Sequence, residues 1–131
     1  MAHVKARIAQ EQYQVKIEAN GNTIIADEPI NEGGLNKGFN PNELLAASLA
    51  ACTSITLRMY ANHKKWELQE VHVDVNLEWD KTTNKTTINR NIELIGNLDD
   101  AQRTRLLAVA NACPVHKILS NTIQIDTALT N

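Results

Sequence analysis

The feature that most constrains this chain is the run from Pro41 to about His63. It contains no glycine, and its only charged side chains are Glu43 and Arg58. Asn40 is a good N-cap, Pro41 suits the first helical position, and Glu43, three residues after the cap, can close a capping box. The spacing predicts one helix running to Ala61 or His63, with Leu45, Leu49, Cys52, Ile55 or Thr56, and Met59 as its apolar stripe. Ala46, Ala47, Ala50 and Ala51 fill the turns between and allow close approach of another backbone. At 1.5 Å per residue such a helix is about 30 Å long, the diameter of a small domain. The 131 residues amount to one domain, expected over 1–131, so this helix has to be the element on which the rest packs.

The remaining elements follow from period and punctuation. Val4, Ala6 and Ile8 alternate with polar neighbours, as do Tyr13, Val15 and Ile17. Asn20-Gly21-Asn22 is a hairpin signal leading into Thr23-Ile24-Ile25-Ala26. Residues 28–39 form a loop with Pro29, Gly33, Gly34 and Gly38, either a simple crossover or the lining of a site. Val71, Val73, Val75, Leu77 and Trp79 make a long half-buried strand. It pairs across the turn at 80–85 with a second strand that passes through Ile88, Arg90, Ile92 and Leu94. Asp99-Asp100 opens a second helix with Leu106, Leu107, Val109 and Ala110 as its buried stripe. Pro114 starts a short third helix, and Ile123, Ile125 and Thr127 suggest a last strand. Helices and strands are segregated, which argues an α+β fold with antiparallel sheets.

Composition narrows the function. Hydrophobic residues make up 43% and charged residues 21%, with a net charge of -2, ordinary values for a globular chain. No long basic run is present, so nucleic acid is not an expected partner. His3, His63, His72 and His116 are scattered and neither cysteine belongs to a CxxC pair, so neither a metal nor another cofactor is expected. No stretch approaches the roughly 18 consecutive apolar residues of a membrane span, and Met1 to Arg7 lacks the apolar core of a signal peptide. The expected location is the cytoplasm, where thiols are normally reduced and disulfides tend to be transient and catalytic.

Two cysteines then stand out. Cys52 falls on the apolar stripe of the long helix, too far from its N-terminus for the dipole to help. By itself it reads first as a small core hydrophobe, and only a nearby cation would activate it. Cys113 precedes Pro114 at a helix start, where unpaired N–H groups can stabilise a thiolate, and His116 lies three residues on.

The segments Asn40-Pro41-Asn42-Glu43-Leu44-Leu45 through Ala50-Ala51-Cys52, and Ala112-Cys113-Pro114-Val115, together resemble the OsmC/Ohr family, the osmotically inducible and organic-hydroperoxide-resistance proteins. The resemblance extends to the Gly33-Gly34 loop, the order of elements and the chain length. It implies an intertwined homodimer in which extended sheets wrap central helices and the sites lie at the interface. It also implies reduction of organic hydroperoxides, with Cys52 as the peroxidatic thiol, Cys113 as the resolving thiol and an external dithiol as reductant. The best-understood branch has a glutamate ten residues before the first cysteine, where this chain has Asn42, and an activating arginine in a glycine-bearing turn, where it has Ala9-Gln10-Glu11-Gln12. The nearest equivalents are Glu43 and Arg7, which join the candidate catalytic residues. Arg58 and Arg105 are the next cations to consider. A thiol redox protein of other specificity and a non-catalytic binder of a small apolar ligand are the competing readings.

Overall fold

Asn40, Pro41 and Glu43 do start the longest element. In the computed structural model, which describes residues 1–131, helix α1 spans Pro41–Lys64. Glu43 N–H donates to Asn40 Oδ1 at 2.8 Å and Asn40 N–H donates to Glu43 Oε1 at 2.9 Å. The capping box is closed from both sides, and two donors that a helix start leaves open are satisfied.

The chain forms two compact units, Met1–Leu45 and Ala46–Asn131. In the first, β1 (Lys5–Arg7), β2 (Val15–Ala19) and β3 (Asn22–Ala26) make an antiparallel meander in that order. Asn20 and Gly21, at φ 49° and 81°, form the tight turn between β2 and β3, a conformation these two residue types reach most readily. β2 starts later than the alternation from Tyr13 predicts, because the Tyr13 N–H donates to Asp27 Oδ1 at 3.2 Å. Asp27 is 2% exposed. Its carboxylate also accepts the N–H groups of Glu28 (2.8 Å), Leu35 (3.3 Å) and Lys37 (3.1 Å). The glycine-bearing loop is thus folded around a single carboxylate.

In the second unit β4 (Glu67–Asp80) and β5 (Lys85–Asn97) pair antiparallel as a long ribbon, followed by α2 (Asp100–Ala110) and α3 (Pro114–Leu119). Gly96, opposite a register shift at Leu68/Glu70, takes φ 151°. A Cβ there would collide with the Glu67 carbonyl, so the strand can pass its partner this closely only with glycine. Asp99 and Gln102 close a second capping box at the start of α2. The core is Leu57, Ala61, Leu68, Leu106 and Ala110, with Trp66, Ile92 and Leu94 packed around it. The architecture is α+β, with antiparallel sheets and one long helix.

Three expectations need correction. The buried stripe of α1 is Leu49, Thr53, Leu57 and Ala61. Leu45, Ile55 and Met59 are exposed, because the anticipated stripe takes three-residue steps that carry it round the helix from the row of four-residue steps the core selects. In α2, Leu106 and Ala110 are buried but Leu107 is 56% exposed. Ile123, Ile125 and Thr127 form no strand, since alternation defines a face but supplies no partner, and no other segment of the chain pairs with them. By length and composition α1 is apolar enough to cross a membrane. Arg58 on this helix nevertheless donates to the carbonyls of Leu68 (2.6 Å) and Gln69 (2.9 Å), the behaviour of a helix packed on a sheet.

Candidate redox site

α1 and the break between α2 and α3 bring the two cysteines together. Pro114 pushes the residue before it into extended backbone, and Cys113 sits there at φ −66°, ψ 148°, as the cap of α3. Both thiols are free, Cys113 fully buried and Cys52 half-buried. In the first turn of α3, the Val115 N–H donates to Cys52 Sγ at 3.5 Å. The Cys52 thiol is also among the groups that draw the Cys113 pKa down. On its own helix, Cys52 Sγ lies 3.9 Å from Thr56 Oγ1.

The cation at this site is Arg90, which sits on the half-buried face of β5 opposite Val75. Its Nη1 donates to Thr53 Oγ1 at 2.9 Å and to Cys113 Sγ at 3.9 Å. Its Nη2 donates to Asn111 Oδ1 at 3.0 Å and to His116 Nδ1 at 3.0 Å. A guanidinium only donates, so Nδ1 is the acceptor and the neutral His116 ring carries its proton on Nε2. Thr53 gives its hydroxyl proton to the Leu49 carbonyl at 2.7 Å, which leaves its lone pairs turned to Arg90. Burial pushes the Cys113 thiol up, but the His116 N–H, the Cys52 thiol and the Arg90 guanidinium outweigh it, and the net direction is down.

Cys52 and Cys113 therefore meet, while Arg7 and Glu43 belong to the other unit. Arg7 ends β1, exposed and opposite Lys16, and Glu43 is engaged in the capping box. The other two arginines considered have structural partners: Arg58 holds β4, and Arg105 Nε donates to Tyr60 Oη at 2.8 Å. Arg90, Thr53 and Asn111 are the members that sequence reasoning missed. For Arg90 a signal existed, a charge on the inward face of a strand between Ile88 and Ile92. An open cleft of about 650 Å³ adjoins the cluster, with Arg90, Asn111 and His116 on its polar side and Leu49, Ile88 and Leu107 among its apolar walls. Arg90 is thus shared by the cleft and the buried thiol.

Residues 34–128 match the family model described as OsmC-like protein. The chain belongs to the OsmC family. Among solved structures, an OsmC-like protein from Mycoplasma pneumoniae is 20% identical, with a TM-score of 0.78 over 92% of this chain and 87% of that one. The organic hydroperoxide resistance protein OhrB of Bacillus subtilis is 25% identical, with a TM-score of 0.61 over 90% of this chain and 89% of that one. An organic hydroperoxide resistance protein OsmC from Legionella pneumophila is 24% identical, with a TM-score of 0.64 over 91% and 88%. Comparison with functionally curated proteins gives no match. The long helix, sheets and thiol-bearing break of this chain are built on the OsmC fold.

Proposed function

We propose that this protein is a thiol-dependent peroxidase that reduces organic hydroperoxides through Cys52 and Cys113. The observation that carries the reading is the meeting of two free thiols, with the Val115 N–H, two residues past Cys113, on the Cys52 sulfur and the Arg90 guanidinium on the Cys113 sulfur. Cys52, the more accessible, attacks the peroxide O–O bond and becomes a sulfenic acid. Cys113 condenses with it to a disulfide, which blocks further oxidation, and an external dithiol restores both thiols by exchange. The apolar walls of the neighbouring cleft favour an alkyl peroxide over hydrogen peroxide, at roughly 0.8 kcal/mol per buried CH₂. Arg7 is proposed as the cation that assists Cys52. The working assembly is a homodimer in the cytoplasm, supported by the exposed apolar residues of α1, Ile55 at 55% and Met59 at 67%.

Free-thiol titration before and after one equivalent of cumene hydroperoxide tests the reading. Loss of both thiols per chain is expected, with a smaller loss for hydrogen peroxide. A cleft lined by neither cysteine favours, as a second reading, a binder of a small apolar ligand, for which the thiol count stays unchanged.

A further inference from the structure

Arg90 carries a full charge on a half-buried strand face, yet none of its partners supplies a formal negative charge. The Thr53 hydroxyl and the Asn111 amide do not ionise near neutral pH, and His116 offers a neutral ring nitrogen. The ion pairs of the chain are Lys16–Glu18, His72–Glu70 and His72–Glu93, so no carboxylate answers Arg90. A guanidinium withdrawn from water without a counter-charge is costly. Cys113 is the one group touching Arg90 that can become an anion near neutral pH. The titratable groups facing that sulfur are Arg90 from β5, Cys52 from α1 and His116 from α3.

We propose that Arg90 keeps Cys113, rather than Cys52, as the standing thiolate of the pair, so that the arginine drives disulfide closure more than the first attack on peroxide. This deepens the peroxidase reading and rests on it. Cys113 has no exposed surface, which keeps peroxide from its sulfur, and a resolving thiol needs to reach only its partner. In the first step the Cys52 sulfur forms an S–O bond as the O–O bond breaks, and the alkoxide leaves as alcohol with the thiol's proton. Cys52 is oxidised to sulfenic acid and the peroxide is reduced. In the second step the Cys113 thiolate attacks the Cys52 sulfur. The S–S bond forms, the S–O bond breaks, and hydroxide leaves and takes a proton from solvent as water. The rate of that exchange follows the thiolate fraction of the attacking sulfur. A resolver that is already ionised closes the disulfide before a second peroxide arrives.

Two measurements on the full chain test this. The first is time-quenched intact mass after one equivalent of cumene hydroperoxide, for wild type, Arg90→Lys and Arg90→Gln. Removing the charge should slow disulfide closure at least about tenfold more than it slows oxygen uptake, the factor for one unit of lost acidity. The one-oxygen species should then accumulate, and Arg90→Lys should fall between the other two. Slower oxygen uptake with unchanged closure would overturn the proposal and assign Arg90 to Cys52. The second measurement leaves Arg90 intact and so does not depend on whether its variants fold. Thiolate absorbance against pH should show Cys113, read in Cys52→Ser, ionising at lower pH than Cys52, read in Cys113→Ser, and the reverse order would overturn the assignment. A wild type inert to peroxide in which Cys113 still ionises first would refute the peroxidase reading while supporting the Arg90–Cys113 pair.

Discussion

Asp27 and Arg90 are charged side chains taken into the fold, one in each unit, and the protein satisfies them in opposite ways. Asp27 is held by four backbone N–H groups, those of Tyr13, Glu28, Leu35 and Lys37. Arg90 is held by side chains alone: a hydroxyl, an amide, an imidazole and a thiol. Backbone donors cannot ionise or react, so the Asp27 cluster has one state and serves the loop. The Arg90 cluster contains groups that gain and lose protons and electrons, so its charge balance changes with chemistry. In this chain a buried charge tied to backbone marks architecture, and a half-buried one tied to a thiol and an imidazole marks the site.

The widest separation between the two regions is expected in turnover. Cys52→Ser should lower hydroperoxide consumption by at least roughly a thousandfold, the scale of losing a nucleophile. Asp27→Asn should leave consumption close to wild type below its own melting temperature. An Asp27→Asn protein that is fully folded and inactive breaks the comparison. Stability should show the opposite ranking. Asp27→Asn puts an amide where only acceptors are wanted and should lower Tm by roughly 5 °C or more in a chain of this size, read by circular dichroism.

The same carboxylate sets a pH dependence. Burial pushes its pKa up, and the N–H groups of Lys37, Glu28, Tyr13 and Leu35 outweigh that and hold it below the ordinary aspartate value. Its contribution to stability is therefore complete above the unfolded value and is lost as pH falls through the depressed folded one. Denaturant midpoints taken downward from pH 6 should decline less steeply in Asp27→Asn than in wild type. The smallest effects belong to the two residues of the first unit expected at the site. Glu43→Ala should cost about 0.5–1 kcal/mol through the lost cap and leave the alkylation rate of Cys52 unchanged. Arg7→Ala should slow that alkylation more than Glu43→Ala does, and equal rates in both would remove Arg7 from the reaction.

What the sequence made legible follows the range of the interactions. The start of α1 could be read because Asn40, Pro41 and Glu43 lie within one turn of each other. The thiol pair could be read because two separated segments each match one family's pattern. Thr53 escaped notice because a hydroxyl on a helix satisfies itself against the carbonyl four residues back, and an alanine-rich helix offers more than one plausible apolar row. Arg90 meets Thr53 across 37 residues and Cys113 across 23, distances at which spacing says nothing. Its one trace was a charge among the isoleucines of an alternating strand. The last strand was overread for the complementary reason, since Ile123 and Ile125 have the right period and no partner in the chain.

The division of labour between the thiols is tested most directly by intact mass under excess hydroperoxide. Wild type should lose two hydrogens as the internal disulfide closes. Cys113→Ser should gain one oxygen and then a second on Cys52, because the sulfenic acid no longer has a partner. Cys52→Ser, with its remaining thiol buried, should stay unmodified over the same interval. Oxygen accumulating on Cys113 in Cys52→Ser at the wild-type rate would contradict the account and reverse the two roles.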